Sequence, residues 1–484
     1  MNKQKALIKN TFILALGKVS TQLVSFLLLP LYTIFLSPSD YGTVDLIVTY
    51  VMLLVPIIMI RLETASFRFL VDARQNEREK RSIISNTLWV IIPIMLVCTL
   101  LYLALDTFID IPYSGLILLN ICITIFSSLF LQFARGLGDN KKFAMASMVT
   151  GLTTLMTTLA LVVYANLGAQ GVLLSFAIAN ALCCIYLFFS LKLYHYITLK
   201  ARDVILRKKL IKYSLPLVSD GVSWWLIDVS DRTIISIFIG VASNGIYAVS
   251  SKYAAIAISI FAIFNMSWTE SASMHIDGKD RDKFFSETIN ASIRFFGSLG
   301  LVLIALIPLI FSALIDVKYI EAYQYIPILI TGAFFSAIAN LHGVIYIAKK
   351  QTKQIAKTAV MSAILNITLT LLLINFIGIY AAAISTAIAY LAMAIYRYRD
   401  VKKYVTISYE RNILLKIASL HIFAISLYYM NHIIFNLINL VVIIIIAVLL
   451  NKSMTNVIKD KILSLRRRKQ KKLTLEQEAY EDSL

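Results

Sequence analysis

Asp220, Trp224 and Asp228 recur at every fourth position, and Asp231 with Arg232 continues the same helical face. Three carboxylates, a guanidinium and an indole along one stripe are the densest chemistry in an otherwise apolar stretch. A carboxylate held there has two uses. It pairs with the base, as Asp228 and Arg232 can at a separation of four, or it binds a proton or a sodium ion. The alternative is a self-satisfied polar cluster that fixes helix packing, and Arg232, with carboxylates beside it, suits that reading best. Lys18, Lys252 and Arg294 also lie inside apolar stretches, and Arg61 lies at the end of one. A charge at the middle of a bilayer costs at least about 2.5–3.5 kcal/mol, so it faces a cavity or a partner. Lys and Arg lining a cavity are what a compact anion requires. Lys18 and Lys252 can instead snorkel to an interface, and Arg61 and Arg294 can be ordinary anchors. Glu63 and Glu270 read as interfacial. Asn366 and Asn375 could supply further oxygens, though nothing in the chain order places them near the acids.

The elements that must hold these residues are about fourteen apolar stretches, each close to the roughly 20 residues that cross a bilayer core as a helix. They fall near 11–36, 44–60, 83–105, 115–133, 143–165, 170–191 and 214–240, then near 246–268, 288–312, 323–347, 354–375, 379–396, 410–430 and 433–450. The expected fold is therefore an all-α polytopic membrane protein. Its 46 Lys and Arg against 27 Asp and Glu, a formal charge of +19, would suggest nucleic acid in a soluble chain. Their placement argues otherwise. Arg68, Arg74, Arg78, Lys80 and Arg81 fill the second loop, and Lys200 to Lys209 the sixth. Lys349 with Lys350, and Arg397 through Lys403, fill later even-numbered loops. The odd-numbered loops carry Asp40, Asp106, Asp110, Asp316 and Glu321, with Lys318 as their one cation. Lys/Arg bias sets orientation, so both termini and the even loops are expected in the cytoplasm. In the tail, Arg466 to Lys472 form a basic cluster suited to anionic lipid or to anchoring the topology.

Several classes of activity find no residues to support them. There is no phosphate-cradling Gly-rich loop ending in Lys-Ser or Lys-Thr, so no ATPase is expected. The five histidines lack ligand spacing, no metal site is expected, and Cys98, Cys122, Cys183 and Cys184 read as small packing residues. The N-terminal apolar run is too long for a cleavable signal. No loop is long enough for a soluble domain. A secondary transporter is the simplest reading; a membrane polymerase or glycosyltransferase would normally carry a large external loop.

The chain also resembles itself. Gly168-Ala-Gln-Gly-Val-Leu-Leu-Ser-Phe-Ala-Ile-Ala179 aligns with Gly378-Ile-Tyr-Ala-Ala-Ala-Ile-Ser-Thr-Ala-Ile-Ala389, and Gly42 with Gly245 at a shift of 203. Each unit holds six spans and starts on the same side, so the repeats are parallel, with substrate expected between the halves. The expected division is residues 1–200 and 201–405 as two six-helix lobes, 406–451 as two added helices, and 452–484 as a basic, then acidic, tail.

The stretches Lys9-Asn-Thr-Phe, Leu29-Pro-Leu-Tyr-Thr and Leu36-Ser-Pro-Ser-Asp-Tyr-Gly-Thr-Val-Asp45 resemble the first helix pair of bacterial oligosaccharide flippases of the polysaccharide biosynthesis (Wzx-type) family. Gln132-Phe-Ala-Arg-Gly-Leu-Gly-Asp-Asn-Lys-Lys-Phe143, Val229 to Gly240 and Asn244 to Lys252 are similar to later parts of the same family. That family shares a superfamily with multidrug extruders and lipid II flippases. The resemblance implies alternating access between two lobes, moving an undecaprenyl-diphosphate-linked oligosaccharide to the outer leaflet of the bacterial cytoplasmic membrane. The product would be capsule, exopolysaccharide, O-antigen or teichoic-type polymer, with contact to the pathway's polymerase or glycosyltransferases. It points to Lys18, Arg61 and Lys252 as cations for the diphosphate; from their places inside spans, Arg294 is a further candidate cation and Trp224 a ring that can stack on sugar. Two of the first three are Lys, which lacks the bidentate fork of Arg. It also implies Na+ or H+ coupling through Asp220, Asp228 or Asp231, with no catalytic residue and no other cofactor. An ion-coupled multidrug or metabolite antiporter is the alternative.

Overall fold

The computed structural model describes residues 24–109, 111–198 and 203–452, with all of their side chains except those at 219–225, 227, 228 and 352. Each expected apolar stretch, over its described residues, coincides with a helix. In chain order these are α1 (Val24–Phe35), α2 (Pro38–Ile58), α3 (Leu62–Asp72), α4 (Glu77–Asp106), α5 (Ser114–Gly136), α6 (Asn140–Thr158, extended by a π-helical turn Leu159–Tyr164) and α7 (Gly168–Ser190). The second half holds α8 (Val204–Phe238), α9 (Val241–His275), α10 (Arg281–Leu314), α11 (Ile326–Ala348), α12 (Thr352–Ile377), α13 (Tyr380–Asp400), α14 (Arg411–Tyr429) and α15 (Ile433–Leu450). Twelve of them are long and apolar enough to cross a membrane; α1 and the more charged, 35-residue α8 complete the expected fourteen. The addition is α3, a short amphipathic helix inside what reads in sequence as a basic loop.

Local chemistry sets the helix starts. Ser37 Oγ accepts from the Asp40 N–H at 3.1 Å while the Asp40 carboxylate accepts from the Ser37 N–H at 3.4 Å, and Pro38 occupies the first turn. This reciprocal cap satisfies donors that have no intrahelical partner. Asp203 caps α8 in the simpler way, accepting from the Leu206 N–H at 2.9 Å.

The helices form two lobes, with α14 and α15 laid against α10 of the second. The lobes meet where α2 crosses α9. A Cβ on Gly42 would stand 2.0 Å from the Val241 carbonyl oxygen, and one on Gly245 would stand 2.0 Å from the Pro38 carbonyl oxygen. Pro38 and Val241 are separated by the same 203 positions as the two glycines, so the contact is reciprocal about a local twofold. Only glycine lets two backbones approach this far. The other repeat pair behaves alike: Gly168 and Gly378 have φ of 53° and 57° at the starts of α7 and α13. Internal duplication is thus written in backbone geometry.

Helix direction gives the bundle two unlike ends. The basic end carries the loops rich in Lys and Arg. The cation-poor end carries the starts of α2, α9, α11 and α13.

Candidate functional site

Around the glycine crossing, polar groups from both lobes interlock. Asn244 donates to the Gly42 carbonyl at 3.1 Å and to Asp45 Oδ2 at 3.4 Å. Asp45, one turn further along α2, pairs with Arg232 of α8. The Arg232 guanidinium also reaches Ser251 Oγ at 3.3 Å and Thr49 Oγ1 at 3.5 Å, and Tyr50 lies 3.2 Å from Thr233. At the rim, Lys318 Nζ donates to the carbonyls of Ile34 and Leu36 at 2.9 and 3.3 Å. The one cation expected in the odd-numbered loops is therefore a tie between lobes. Beyond Tyr50 and Tyr253, toward the basic end, no hydrogen bond, ion pair or ring contact joins α2 to α9 among the described residues. The α2–α9 crossing is latched at the cation-poor end.

The i, i+4 spacing allows Asp228 to pair with Arg232, but the Asp228 side chain lies outside the described ones; among those described, Arg232 pairs with Asp45, 187 positions away on the opposite lobe. With its Asp45 carboxylate only 7% exposed, this is a buried ion pair, and removing one member of such a pair costs about 3–5 kcal/mol. Asp45→Arg and Arg232→Asp should each reduce transport per inserted molecule by tenfold or more, as about 1.4 kcal/mol per decade implies. The double reversal should recover much of it. A double variant no better than the singles would show that the pair does not act as a unit.

Asp231 goes the other way. Although adjacent to Arg232, it turns into the second lobe and is 2% exposed. Tyr247 OH donates to its Oδ2 at 3.0 Å, Thr386 Oγ1 to the same oxygen at 2.5 Å, and Thr370 Oγ1 lies 3.5 Å from Oδ1. Asn366 closes the group, its Oδ1 accepting from Thr370 at 3.2 Å and its Nδ2 lying 3.4 Å from Thr386 Oγ1. A carboxylate, an amide oxygen and three hydroxyls from α8, α9, α12 and α13 form a closed knot of oxygens. Hard cations prefer such ligands, and a carboxylate in this setting can equally take a proton. No group of three or more His, Cys, Asp or Glu that could hold a metal ion occurs among the described residues. Of the expected acids, Asp231 is placed; for Asp220, Trp224 and Asp228 only the helical backbone is described.

The expected cations divide. Lys18 lies outside the described residues. Lys252 sits on α9 eleven residues from Val241, about 16 Å along the helix, which is near the middle of a 30 Å hydrocarbon core. It makes no hydrogen bond or ion pair among the described residues and feels both Asp45 and Arg232. Arg61 lies beyond the far end of α2, in a turn where Ile60 and Arg61 both have positive φ, 3.5 Å from Glu63. Arg294 does not join the interlobe group: Glu410 accepts from it with both oxygens, at 2.9 and 3.0 Å, fixing the segment before α14 to α10. There the Arg294 guanidinium is paired within the second lobe and clamps the segment before α14. Sequence reasoning did not single out Asp45, Tyr247, Thr370 or Thr386; the signal for Asn366 was its polarity inside an apolar span.

An apolar cavity of about 600 Å³ lies between the second lobe and α14, lined by Phe334, Phe335, Ile338, Leu391, Ile395 and Ile422 among others. Its polar lining is His342, bonded to Tyr409 OH, with His421, Thr331, Tyr398 and Arg411.

The model of the family described as polysaccharide biosynthesis protein matches residues 7–269, more than half of the chain. No curated protein matches. Among solved structures, the chain is similar to the lipid II flippase MurJ in an inward closed conformation: 17% identity, 93% of this chain and 99% of that one covered, TM-score 0.67. It is also similar to an inward-facing multidrug resistance MATE family transporter of the MOP superfamily, at 11% identity, 84% and 98% coverage and TM-score 0.66. A third is a MOP superfamily transporter from Pyrococcus furiosus, at 11% identity, 82% and 95% coverage and TM-score 0.59. At such identities these three share its fold. With the family model spanning the first lobe, the glycine crossing and most of α9, the chain belongs to the polysaccharide biosynthesis protein family and has the two-lobed fold of MOP superfamily transporters.

Proposed function

We propose that this protein flips an undecaprenyl-diphosphate-linked oligosaccharide from the leaflet at its basic end to the opposite leaflet, by alternating access between the lobes. The observation that carries the reading is Lys252: a cation without a partner among the described residues, midway across the membrane, beside the helices that latch the lobes together. Leaving such a charge unneutralised is costly, and a compact diphosphate passing between the lobes would neutralise it. The apolar cavity against α14 has the lining a polyisoprenoid chain requires. The Lys/Arg asymmetry supports a cytoplasmic basic end in a bacterial inner membrane. The two units, residues 1–200 and 201–405, move against each other, and opening the Asp45–Arg232 latch exposes the far side. A sodium ion or a proton bound at Asp231 supplies the bias. The reading assigns the protein no bond-making chemistry and places it beside the transferases and polymerase that make and consume its cargo.

In cells lacking the gene, lipid-linked oligosaccharide should accumulate on the cytoplasmic leaflet and a surface polymer should disappear. Complementation with Lys252→Ala should restore abundance but not polymer, because a lost charge-assisted hydrogen bond costs about 1.5–3 kcal/mol. Lys252→Arg should restore part. Intact surface glycans with heightened drug sensitivity would favour a multidrug antiporter instead.

A further inference from the structure

We propose that Arg397 is the cation of a second anion site, at the basic end of the second lobe, which takes the diphosphate of the lipid-linked substrate as it enters; this rests on the flippase reading. In sequence Arg397 begins a run of loop cations. In the structure it occupies the last turn of α13 and is 1% exposed. Its Nε donates to Thr358 Oγ1 at 2.9 Å and its Nη1 to the Ala339 carbonyl at 3.0 Å, while the buried Nη2 has no partner among the described residues. The acid one turn on, Asp400, is engaged by Lys403 and Tyr346, each at 2.8 Å. A guanidinium out of water with only neutral partners is half of an ion pair.

The other half has a place to bind. Arg397 lines a cavity of about 260 Å³ with Asn265, Ser336, Asn340 and Gly343. At about 30 Å³ per water, this holds a phosphate group and its hydration. The Asn265 Oδ1 is also buried without a partner among the described residues, so a water or a protonated oxygen brought by the ligand would complete it. Glycine at 343 preserves the arrangement, since a Cβ there would lie 2.6 Å from Arg397 Nη1.

The position fits entry rather than release. Ser251, Ile258, Ala262 and Asn265 share one face of α9, and Ser251 receives Arg232 from the latch. The cavity therefore lies about 10 to 21 Å below the latch along the same face, at 1.5 Å per residue. The second half of α8 covers that face near Ser251. Its first half leaves for the opposite lobe, where Tyr213 meets Phe69 at 5.9 Å and Arg207 lies 5.5 Å above Trp89 and bonds Asn86. The rim of the cavity is aliphatic, with Ile258 and Ile347 at 47% and 42% exposed. An anion tethered to hydrocarbon suits such a rim better than free phosphate does, and the planar guanidinium matches phosphate oxygens two at a time.

The test uses the full-length protein in nanodiscs, with undecaprenyl diphosphate as one probe and inorganic pyrophosphate as the other, each read by the shift of the unfolding midpoint. The lipid should raise the wild-type midpoint saturably and pyrophosphate should do so far more weakly. Arg397→Gln should weaken the lipid by at least about tenfold, as loss of one charge-assisted contact implies, with Arg397→Lys between. Gly343→Ala, which displaces the guanidinium without removing it, should also weaken binding, and it carries the test if Arg397→Gln does not insert. No lipid effect on wild type, unchanged lipid affinity in the variants that insert, or pyrophosphate matching the lipid would each overturn the site. Deletion cells with normal surface polymer would overturn the flippase reading while leaving Arg397-dependent lipid binding in place.

Discussion

Asp231→Asn should all but abolish transport while leaving the protein inserted at normal abundance. The substitution keeps the shape of the side chain, and the hydroxyls of Tyr247 and Thr386 can still donate to the amide oxygen, so the knot between α8, α9, α12 and α13 should hold. What is lost is the charge that, on the proposed coupling, binds a cation or a proton. Arg232, the next residue, forms the latch to Asp45, so a change in charge at Asp231 acts on a helix segment that joins the two lobes. Coupling free energies of this kind run to about 1–3 kcal/mol, which at the upper end is on the order of a hundredfold. Polymer export per molecule of inserted protein measures the first effect. The second readout is the unfolding midpoint against sodium and against pH: wild type should respond to one of them and Asp231→Asn to neither. Full export by the Asn variant would reduce Asp231 to a packing residue.

Gly42→Ala and Gly245→Ala should be the next most damaging substitutions, and they should be damaging to the same degree. Each adds one carbon 2.0 Å from a carbonyl oxygen of the facing helix, which cannot be relieved by rotating a side chain because the obstacle is backbone. The helices must part by well over an ångström, drawing Asn244 away from Gly42 and Asp45 away from Arg232. Overpacking typically costs about 1–3 kcal/mol, equivalent to about one to two decades in the population of the latched state. Cysteine reactivity at Thr49 should rise and export should fall in both variants. Gly115→Ala is the matched control, since a Cβ there meets nothing within 4 Å. If Gly42→Ala alone were harmful, the contact would not be the reciprocal one its geometry describes.

The lobes, the spans and the repeat were legible in the chain because each is a local property. Apolar length, Lys/Arg placement and the 203-residue shift from Gly42 to Gly245 need no knowledge of what packs against what. That charged residues stand in the span before α9 was legible for the same reason: charges rarely stand in apolar helices without a task. Which partner each charge takes was not. Asp231 and Arg232 are neighbours in sequence, yet one faces Thr386, 155 positions on, and the other faces Asp45, 187 positions back. Arg294 and Lys252 look alike as intramembrane cations, but a segment approaching from α14 brings Glu410 to the first and leaves the second without a described partner. Arg397 reads as the first residue of a basic loop until the packing of α11 and α12 turns it inward. Hydropathy and charge pattern fix which residues lie at membrane depth, because the cost of burial in lipid is paid residue by residue. The direction each side chain faces, and so its chemistry, depends on helix rotation and lobe contact, which only the assembled bundle decides.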